Sequence, residues 1–441
     1  MTVVVLGGGA TGEAFLAALR RLDSEVSIAL VERELVGGEC SYWACIPSKT
    51  LLRPLEVLNR ARLAPGAAEG LGRVDVQRVF WWRDQVAGKD DESQAKWVAD
   101  LDVELVRGTA VVAEPGRIQV GERHLEYEKL LIATGSVPVA PPIDGLAELD
   151  YWTSREATSA SEVPERLVVL GGGAVGCELA QFYCRIGSHV TLVQNGEHLL
   201  PRIDPEAADI LAEILTEEGV ELRLGARAAA AEGNGSTFRL HLENGEAVEG
   251  THLLVATGRR PNAEGFGFGQ LGVEIGREGI KTDDHLRAAE KVWAAGDVTG
   301  TALFTHVGKY QGRVAAANIA GRELRADYRA IPAAVFTDPQ VASVGDVSAE
   351  GAVVSSYPLE KVSRTLTFQR PKRPGLVKLY ADPKRGVLVG AVVVGPEAGE
   401  WIGQLTLAIR AEVPVKVLRD TIQPFPTFSE AIFFAARDLD V

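Results

Sequence analysis

Two of the chain's four cysteines, Cys40 and Cys45, lie five positions apart in a segment whose composition suits redox chemistry. Glycines at positions 37 and 38 precede the pair, and Pro-Ser-Lys at 47–49 follows it. Glycine lets the backbone pass close to a planar ligand. If a helix begins at Cys40, both sulfurs lie near its N-terminus, where the helix dipole favours a thiolate. The pattern indicates a dithiol that opens and closes as a disulfide, in preference to a pair of inert buried cysteines.

The start of the chain carries a glycine pattern that is typical of dinucleotide binding. A buried strand leads into Gly7, Gly9 and Gly12, and a helix is predicted over 13–21. A second strand ends in an acid at Glu32, 20 residues after the last of these glycines. In this arrangement the glycines admit a pyrophosphate to the helix N-terminus, and the acid binds ribose hydroxyls. The order of strand, turn, helix, strand and acid predicts a dinucleotide site.

The same pattern recurs 164 residues later, at Gly171, Gly173 and Gly176. Its second strand ends at Gln194, where an acid would favour NAD and nearby arginines would favour NADP. The sequence therefore leaves the choice between NAD and NADP open. The alternative is that only the first pattern binds a dinucleotide and that the second glycine-rich turn is a coincidence. A further motif, which occurs twice in the chain, favours two dinucleotide sites instead.

That further motif is a buried strand that ends in Ala-Thr-Gly. One copy ends at Thr134 and Gly135, and the other ends at Gly258. Another strand ends at a turn with an acid, Asp297. These recurring strand ends support the interpretation that the chain holds two dinucleotide sites.

Length and charge bound the class of protein. With 441 residues, two to four domains are expected. The net charge of −14 argues against nucleic acid and against anionic membranes as partners. No apolar run reaches the roughly 18 residues of a membrane span, and the chain opens on a strand without a basic leader. We therefore expect a cytoplasmic protein with no membrane insertion.

The two remaining cysteines, Cys177 and Cys184, are seven positions apart on one predicted helix face. Free cysteine in a core behaves as a small hydrophobe, and core packing is their expected role. The chain has no second Cys-x-x-Cys and no histidine cluster with the spacing of zinc ligands, so no metal site is predicted.

The dithiol segment and the repeated glycine pattern resemble the pyridine nucleotide–disulfide oxidoreductases, the family of dihydrolipoamide dehydrogenase and mercuric reductase. The family pattern is Gly-Gly-Thr-Cys-x-Asn-x-Gly-Cys-x-Pro-Ser-Lys. This chain keeps the spacing but departs at Glu39, Tyr42 and Ala44. Further motifs near the C-terminus extend the resemblance to essentially the whole chain.

The resemblance implies an α/β fold with two Rossmann-like dinucleotide-binding domains and a C-terminal α+β dimerisation domain. It implies FAD at the first site and NAD or NADP at the second, and a homodimer whose active site uses both chains. The implied boundaries are 1–142 and 266–325 for the FAD-binding domain, 143–265 for the NAD(P)-binding domain and 326–441 for the dimerisation domain.

The resemblance also implies roles for individual residues. Cys45 is the sulfur beside the flavin, and Cys40 is the one that meets the acceptor. Lys49 and Glu178 form an ion pair at the flavin edge that accepts hydride; the competing interpretation is two solvated surface charges. Glu430 is the remaining acid of the C-terminal catalytic motif. The implied cofactor-binding residues are Gly7, Gly9, Gly12, Glu32, Gly38, Lys49, Thr134, Gly135, Gly171, Gly173, Gly176, Gln194, Gly258 and Asp297.

One departure from the family pattern concerns the residues that would act on the electron acceptor. Disulfide-reducing members carry a C-terminal His-Pro-Thr-x-x-Glu, whose histidine acts as acid–base on the exchanging thiol of the partner subunit. Here Phe425 occupies the histidine position and Glu430 keeps the acid, and no histidine follows His306. Phenylalanine cannot transfer protons, and acid–base catalysis is typically worth about 10²–10⁴-fold.

Three functions therefore stay open. The first is an FAD-dependent NAD(P)H oxidoreductase that passes electrons through the Cys40–Cys45 disulfide to a small disulfide-type acceptor. The second is a diaphorase-like reductase of a quinone or a metal ion; Tyr42, Trp43 and Phe425 would give the acceptor side an aromatic wall, unless they only fill volume. The third is a catalytically silent subunit that binds a partner.

Overall fold

The computed structural model describes residues 1–88, 90–233, 235, 237–368 and 375–441. The chain divides into two compact units. Unit 1 comprises Met1–Pro47, Asp84–Val139 and Gly258–Asp327. Unit 2 comprises Ser48–Arg83, Ala140–Thr257 and Tyr328–Val441.

Within the described residues, the strands are β1 (Thr2–Leu6), β2 (Ser27–Glu32), β3 (Val103–Arg107), β4 (Ala110–Glu114), β5 (Arg117–Val120), β6 (Arg123–Glu126), β7 (Lys129–Ile132), β8 (Ser136–Pro138), β9 (Arg166–Leu170), β10 (His189–Val193), β11 (Glu221–Arg223), β12 (Ala228–Gly233), β13 (Phe238–Leu242), β14 (Ala247–Gly250), β15 (His252–Val255), β16 (Arg259–Pro261), β17 (Ile275–Gly276), β18 (Gly279–Ile280), β19 (Arg287–Ala289), β20 (Val292–Ala294), β21 (Pro332–Val335), β22 (Gln340–Gly345), β23 (Val353–Pro358), β24 (Leu376–Asp382) and β25 (Val387–Gly395). The α-helices are α1 (Ala10–Leu22), α2 (Gly38–Tyr42), α3 (Cys45–Leu63), α4 (Val76–Ala87), α5 (Glu92–Asp100), α6 (Ser154–Ser159), α7 (Ala174–Arg185), α8 (Pro205–Glu217), α9 (Thr305–Ile319), α10 (Ser363–Phe368), α11 (Ala398–Arg410), α12 (Val415–Asp420) and α13 (Glu430–Arg437).

The main sheet of unit 1 has the strand order β19-β20-β7-β1-β2-β3. All of its strands run parallel except β19, which pairs antiparallel at one edge. Along β1, Val3 and Val5 pack into one apolar cluster and Val4 and Leu6 into another. Successive side chains of a strand point to opposite faces, so the unbroken apolar run of β1 fits a sheet that is covered on both faces.

Helices α1 and α9 of unit 1 pack closely because glycines replace side chains on α9. A Cβ atom at Gly308 would lie 2.3 Å from Thr11 Oγ1, and one at Gly312 would lie 2.6 Å from Thr11 O. This packing brings the first turns of the two helices together, and both turns carry residues of the candidate site.

Unit 2 contains a second parallel sheet, with the order β11-β10-β9-β15. Its central strand β9 alternates in the same way, with Val169 in one apolar cluster and Val168 and Leu170 in another. The predicted pair of Rossmann-type sheets is therefore confirmed.

The C-terminal part of unit 2 is an antiparallel sheet with the order β21-β22-β25-β24-β23. Helices α11 and α13 cover it, with Leu405 and Ile432 in its apolar cluster. Asp204, which caps α8, accepts hydrogen bonds from Lys378 (2.9 Å) and Tyr380 (2.6 Å) of β24. These polar contacts join α8 to the antiparallel sheet.

The local predictions differ from the structure at the dithiol. A two-residue break at 43–44 separates α2, which contains Cys40, from α3, which begins at Cys45. The first helix also begins three residues earlier than predicted, at Ala10. None of the described helices combines the length and the apolar composition that crossing a bilayer requires. The bounds of the four predicted domain segments stay predictions.

Candidate functional site

The entry to the dithiol is a glycine turn that only a small residue fits. Gly37 has φ 110° and Gly38 has φ 60°, both in the region that side chains disfavour. A Cβ atom at Gly38 would also lie 2.9 Å from the Cα of Gly9. The backbone before Cys40 therefore packs directly on the first glycine fingerprint.

The two sulfurs of the dithiol interact with each other and with the start of α9. Cys40 and Cys45 are both partly buried thiols, and Cys45 Sγ lies 3.3 Å from the hydroxyl of Thr305. The hydrogen bond with Cys45 and then burial raise the pKa of Cys40, while Thr305 and the charge of Lys309 oppose the rise. The two sulfurs are therefore close enough to interact, as a pair that closes to a disulfide must be.

The first fingerprint forms a cradle with an open side. The Gly8 N–H donates to Glu32 Oε2 at 2.7 Å, which fixes that carboxylate beside the turn. Gly7 and Gly12 lie in tight contact, because added Cβ atoms would lie 2.3 Å and 2.2 Å from backbone oxygens. At Gly9, by contrast, an added Cβ would have no neighbour closer than 3.9 Å. This open space at the N-terminus of α1 fits the pyrophosphate of FAD.

Asp297 lies at the end of another strand of the same sheet. Its Oδ2 accepts the Ser136 hydroxyl at 2.6 Å, and Arg259 Nε donates to Ser136 at 2.8 Å. Burial raises the pKa of Asp297, and the Ser136 hydrogen bond and Arg259 oppose the rise. Asp297 is thus held in place by a polar chain, as a residue that orients a bound cofactor should be.

The two Ala-Thr-Gly strand ends each place a glycine next to open space. Thr134 Oγ1 donates to Asn262 O at 2.6 Å. Gly135 and Gly258 have positive φ of 74° and 140°, and an added Cβ at either would have nothing within 4 Å. Both glycines therefore leave open space, which is compatible with ligand contact.

The second fingerprint repeats the cradle in unit 2. Gly171 and Gly176 would clash with backbone oxygens at 2.6 Å and 1.9 Å if they carried a Cβ, whereas Gly173 has open space. The Gly172 N–H donates to Gln194 Oε1 at 2.9 Å. The arrangement fits the pyrophosphate of a nicotinamide dinucleotide, with a neutral amide where the first fingerprint has Glu32.

Lys49 and Glu178 form an ion pair, with Nζ 2.7 Å from Oε2. Glu178 is buried at the second turn of α7, and its other oxygen accepts the Phe336 N–H at 2.9 Å. The ammonium of Lys49 lies 4.7 Å from the centre of the Phe336 ring, a cation–π distance. The two residues are therefore not the solvated surface charges of the competing interpretation.

Sequence reasoning missed the network that supports this ion pair. Asp338 lies two residues after Phe336, and its N–H donates to Gln181 Oε1 at 2.8 Å. Its carboxylate accepts from Arg185 at 3.0 Å, and Arg185 also pairs with Glu218. The Phe-Thr-Asp-Pro segment at 336–339 is one of the C-terminal family motifs, but its local sequence does not indicate a partner for Asp338.

The C-terminal motif lies in unit 2. Phe425 is 73% exposed, and Glu430 begins α13. Glu430 Oε2 accepts the Thr427 N–H at 3.3 Å. No basic side chain among the described residues is hydrogen-bonded to Glu430. Its place as the acid of the C-terminal catalytic motif stays a prediction.

The other two cysteines pack in the core of unit 2. Cys177 is fully buried, and Cys184 packs against the same apolar cluster. Burial raises the pKa of both thiols. Over the described residues, no group of three or more His, Cys, Asp or Glu side chains could hold a metal ion.

Comparison with known families gives two matches that together span most of the chain. The family model for pyridine nucleotide-disulphide oxidoreductases matches residues 1–323, and the model for the dimerisation domain of the same family matches residues 331–436. The dimerisation-domain match supports a homodimer.

Similar proteins extend over nearly the whole chain. A mercuric reductase of Staphylococcus aureus is 34% identical over 99% of this chain and 82% of its own length. A dihydrolipoyl dehydrogenase of Thermus scotoductus is 35% identical over 99% of this chain and 97% of its own. Among solved structures, the copper(II) complex of the HOCl-induced flavoprotein disulfide reductase RclA from Escherichia coli has a TM-score of 0.86 and 26% identity, and covers 99% of both chains.

These matches confirm the expected fold class, with Rossmann-like FAD and NAD(P) domains and a dimerisation domain. Members of the family use FAD and NAD(P)H. The chain therefore belongs to the pyridine nucleotide-disulphide oxidoreductase family and is an FAD-dependent enzyme of that family.

Proposed function

We propose that the enzyme uses NAD(P)H to reduce a Cys40–Cys45 disulfide, and that the resulting dithiol reduces a disulfide-type acceptor. The observation that carries this proposal is the contact of the two thiols with each other and with Thr305, 3.3 Å from Cys45 Sγ. FAD, when bound at the first fingerprint, supplies the two-electron link between the nicotinamide and the cysteines.

The chain's own residues divide the remaining work. The cradles at Gly9 and Gly173 bind the two pyrophosphates, and Glu32 and Gln194 orient the adjoining riboses. Lys49, held by Glu178, supplies a fixed positive charge. This charge would favour the reduced, anionic form of the flavin over its oxidised form. All of these roles are part of the proposal.

The proposed acceptor step is thiol–disulfide exchange. The Cys40 thiolate attacks one sulfur of the acceptor and releases the first acceptor thiol. Cys45 then attacks Cys40 and releases the second, which closes the Cys40–Cys45 disulfide. The two protons of the dithiol end on the two released thiols, so two electrons and two protons leave the enzyme together.

A metal ion is the second candidate acceptor. Phe425 stands at the position of the family's acid–base histidine, which weakens the case for rapid disulfide exchange. Mercuric reductases are among the similar proteins, and the RclA neighbour is described as a copper(II) complex. A quinone and a silent subunit are the remaining alternatives, and we propose a cytoplasmic homodimer in each case.

An anaerobic titration of the oxidised flavoprotein with NADH, and separately with NADPH, tests the first half of the proposal. Uptake of two electrons with a long-wavelength thiolate-to-flavin absorption band supports a coupled dithiol. Cys45→Ser should abolish the band, whereas Cys184→Ser should preserve it. Flavin bleaching without the band in the unmodified protein would reject the dithiol route and favour a quinone.

Steady-state turnover identifies the acceptor class. Lipoamide, glutathione disulfide, Hg(II), Cu(II) and a benzoquinone are compared with unmodified protein and with Cys40→Ser. Loss of disulfide turnover in Cys40→Ser supports the proposal, and turnover of a metal ion alone favours the second candidate. No turnover with any acceptor would leave the silent subunit.

A further inference from the structure

The first turns of α9 place a cation near the dithiol. Thr305 begins α9 and lies 3.3 Å from Cys45 Sγ. Lys309 is four residues later, so it lies on the same face of the helix one turn away. Lys309 is exposed, and in the described part of the chain its ammonium has no hydrogen bond or ion pair within 4 Å.

The neighbouring helix α1 contributes a carboxylate to the same region. Thr11 packs on Gly308 and Gly312 of α9, and Glu13 is two residues further along α1. Glu13 is partly buried, and its side chain has no hydrogen-bond partner among the residues described. Burial raises the pKa of Glu13, and the charge of Lys309 opposes the rise.

The titratable groups of this region come from four helices. Cys45 lies on α3, Lys309 on α9, Glu13 on α1, and Tyr42 on α2 beside Cys40. Burial, then Asp91, Glu13 and Asp90 raise the pKa of Tyr42 to about 12, with Arg107 opposing. Tyr42 is therefore neutral near pH 7. The charge of Lys309 opposes the rise in the pKa of Cys40 that Cys45 and burial cause.

We propose that Lys309 is the charge partner of the Cys40 thiolate. It takes, within one chain, the electrostatic part of the role that the C-terminal histidine has in disulfide-reducing members. A nearby cation stabilises a thiolate, and a larger thiolate fraction speeds attack on an acceptor. The inference rests on the proposed role of Cys40 as the acceptor thiol. Lys309 acts through Cys40 and is a positioning residue.

The test measures the titration of Cys40 directly. The protein is reduced with dithiothreitol, freed of it, and treated with iodoacetamide between pH 6 and 10, and mass spectrometry quantifies the alkylated Cys40 peptide. An opposite charge at close range shifts a pKa by about 1–3 units, and the exposure of Lys309 places this case near the lower limit. Lys309→Met should therefore slow Cys40 alkylation about tenfold at pH 7.5 and move its pH profile to higher pH.

Two variants give the controls. Lys309→Arg keeps the charge and should keep the profile. Lys96→Met removes a surface cation paired with Asp100 on α5 and should change nothing. An unshifted profile in Lys309→Met, or an equal shift in Lys96→Met, would overturn the inference.

This outcome is separable from the proposed function, because dithiothreitol replaces NAD(P)H as the reductant. If NAD(P)H fails to reduce the dithiol but the alkylation profile shifts, the proposed function fails and the charge partner stands. If turnover depends on Cys40 but the alkylation profile of Lys309→Met does not shift, the proposed function stands and the charge partner is rejected.

Discussion

The side-chain oxygen Oε1 of Gln194 accepts the Gly172 N–H at 2.9 Å. In the first fingerprint, Glu32 makes the equivalent contact with Gly8 at 2.7 Å. The geometry of the turn is thus the same, but the first fingerprint has a carboxylate at this position and the second has a neutral amide. A carboxylate there repels the 2′-phosphate of NADP, and a neutral amide does not.

We therefore expect Gln194→Glu to shift the nucleotide preference toward NAD. A carboxylate preserves the bond to Gly172 and adds repulsion against the 2′-phosphate, so the ratio of the NADP⁺ to the NAD⁺ dissociation constant should rise about tenfold, or about 1.4 kcal/mol. Calorimetric titration of both oxidised nucleotides gives this ratio. Asn195→Asp adds the same charge one residue later and is the control. An unchanged ratio in Gln194→Glu would show that residue 194 does not discriminate between a 2′-hydroxyl and a 2′-phosphate.

The Lys49–Glu178 pair should control the rate of reduction by NAD(P)H. Glu178→Gln keeps an acceptor for the Phe336 N–H but no longer fixes the ammonium of Lys49. A charge stabilises the transition state efficiently only when it is held in position. We therefore expect the rate of flavin reduction by NAD(P)H, measured by anaerobic stopped-flow, to fall about tenfold. Glu217→Gln, an exposed charge of α8, should leave the rate unchanged. An unaffected rate in Glu178→Gln would remove the pair from the mechanism.

The contact of Asp204 with β24 should stabilise the fold in a pH-dependent way. Burial raises the pKa of Asp204, but the hydrogen bonds from Tyr380 and Lys378 outweigh it, and the net pKa lies below the ordinary value of 3.8. A carboxyl with a lowered folded-state pKa stabilises the fold above its unfolded pKa, and this contribution is lost as the pH falls through the lowered value.

Asp204→Asn should accordingly lower the free energy of unfolding by about 1–3 kcal/mol at pH 7, because it weakens buried charge-assisted hydrogen bonds. The difference from unmodified protein should begin to shrink as the pH falls below the unfolded pKa of about 3.9, and it should be lost once the pH is also below the lowered folded-state pKa. Urea unfolding between pH 3 and 7 measures it. Asp209→Asn, whose carboxylate is exposed, is the comparison; a difference for Asp204→Asn that persists unchanged at pH 3 would contradict the assignment.

Local patterns made much of the fold and the cofactor cradles predictable from sequence. A strand followed by Gly7, Gly9 and Gly12 is a short-range signal, because the turn, the helix start and the close backbone contacts all lie within a few residues. The apolar run of β1 likewise reports burial on both faces without knowledge of its neighbours.

Long-range pairings were not predictable in the same way. Arg185 and Asp338 are 153 residues apart, and nothing in either local sequence specifies the other. The same holds for Glu13 and Lys309, whose charges influence each other because α1 and α9 pack together. The break between α2 and α3 also escaped prediction, because it depends on how the turn at Gly38 seats on the first fingerprint.

Phe425 offers the most direct test of the acceptor. Its ring is 73% exposed, so a histidine at this position would create no cavity in the described structure. Glu430 lies five residues later, its Oε2 near the Thr427 N–H, and is available to orient an imidazole. If disulfide exchange is limited by the missing acid–base group, Phe425→His should raise lipoamide turnover at least tenfold. Acid–base catalysis is typically worth about 10²–10⁴-fold, so a partial recovery is enough to reach this value.

Phe425→Leu should not raise lipoamide turnover, and Phe425→His in a Glu430→Gln background should recover only part of the gain. Equal turnover in Phe425→His and Phe425→Leu would show that acid–base catalysis at this position does not limit the enzyme, and would favour an acceptor that takes electrons without a proton donor there.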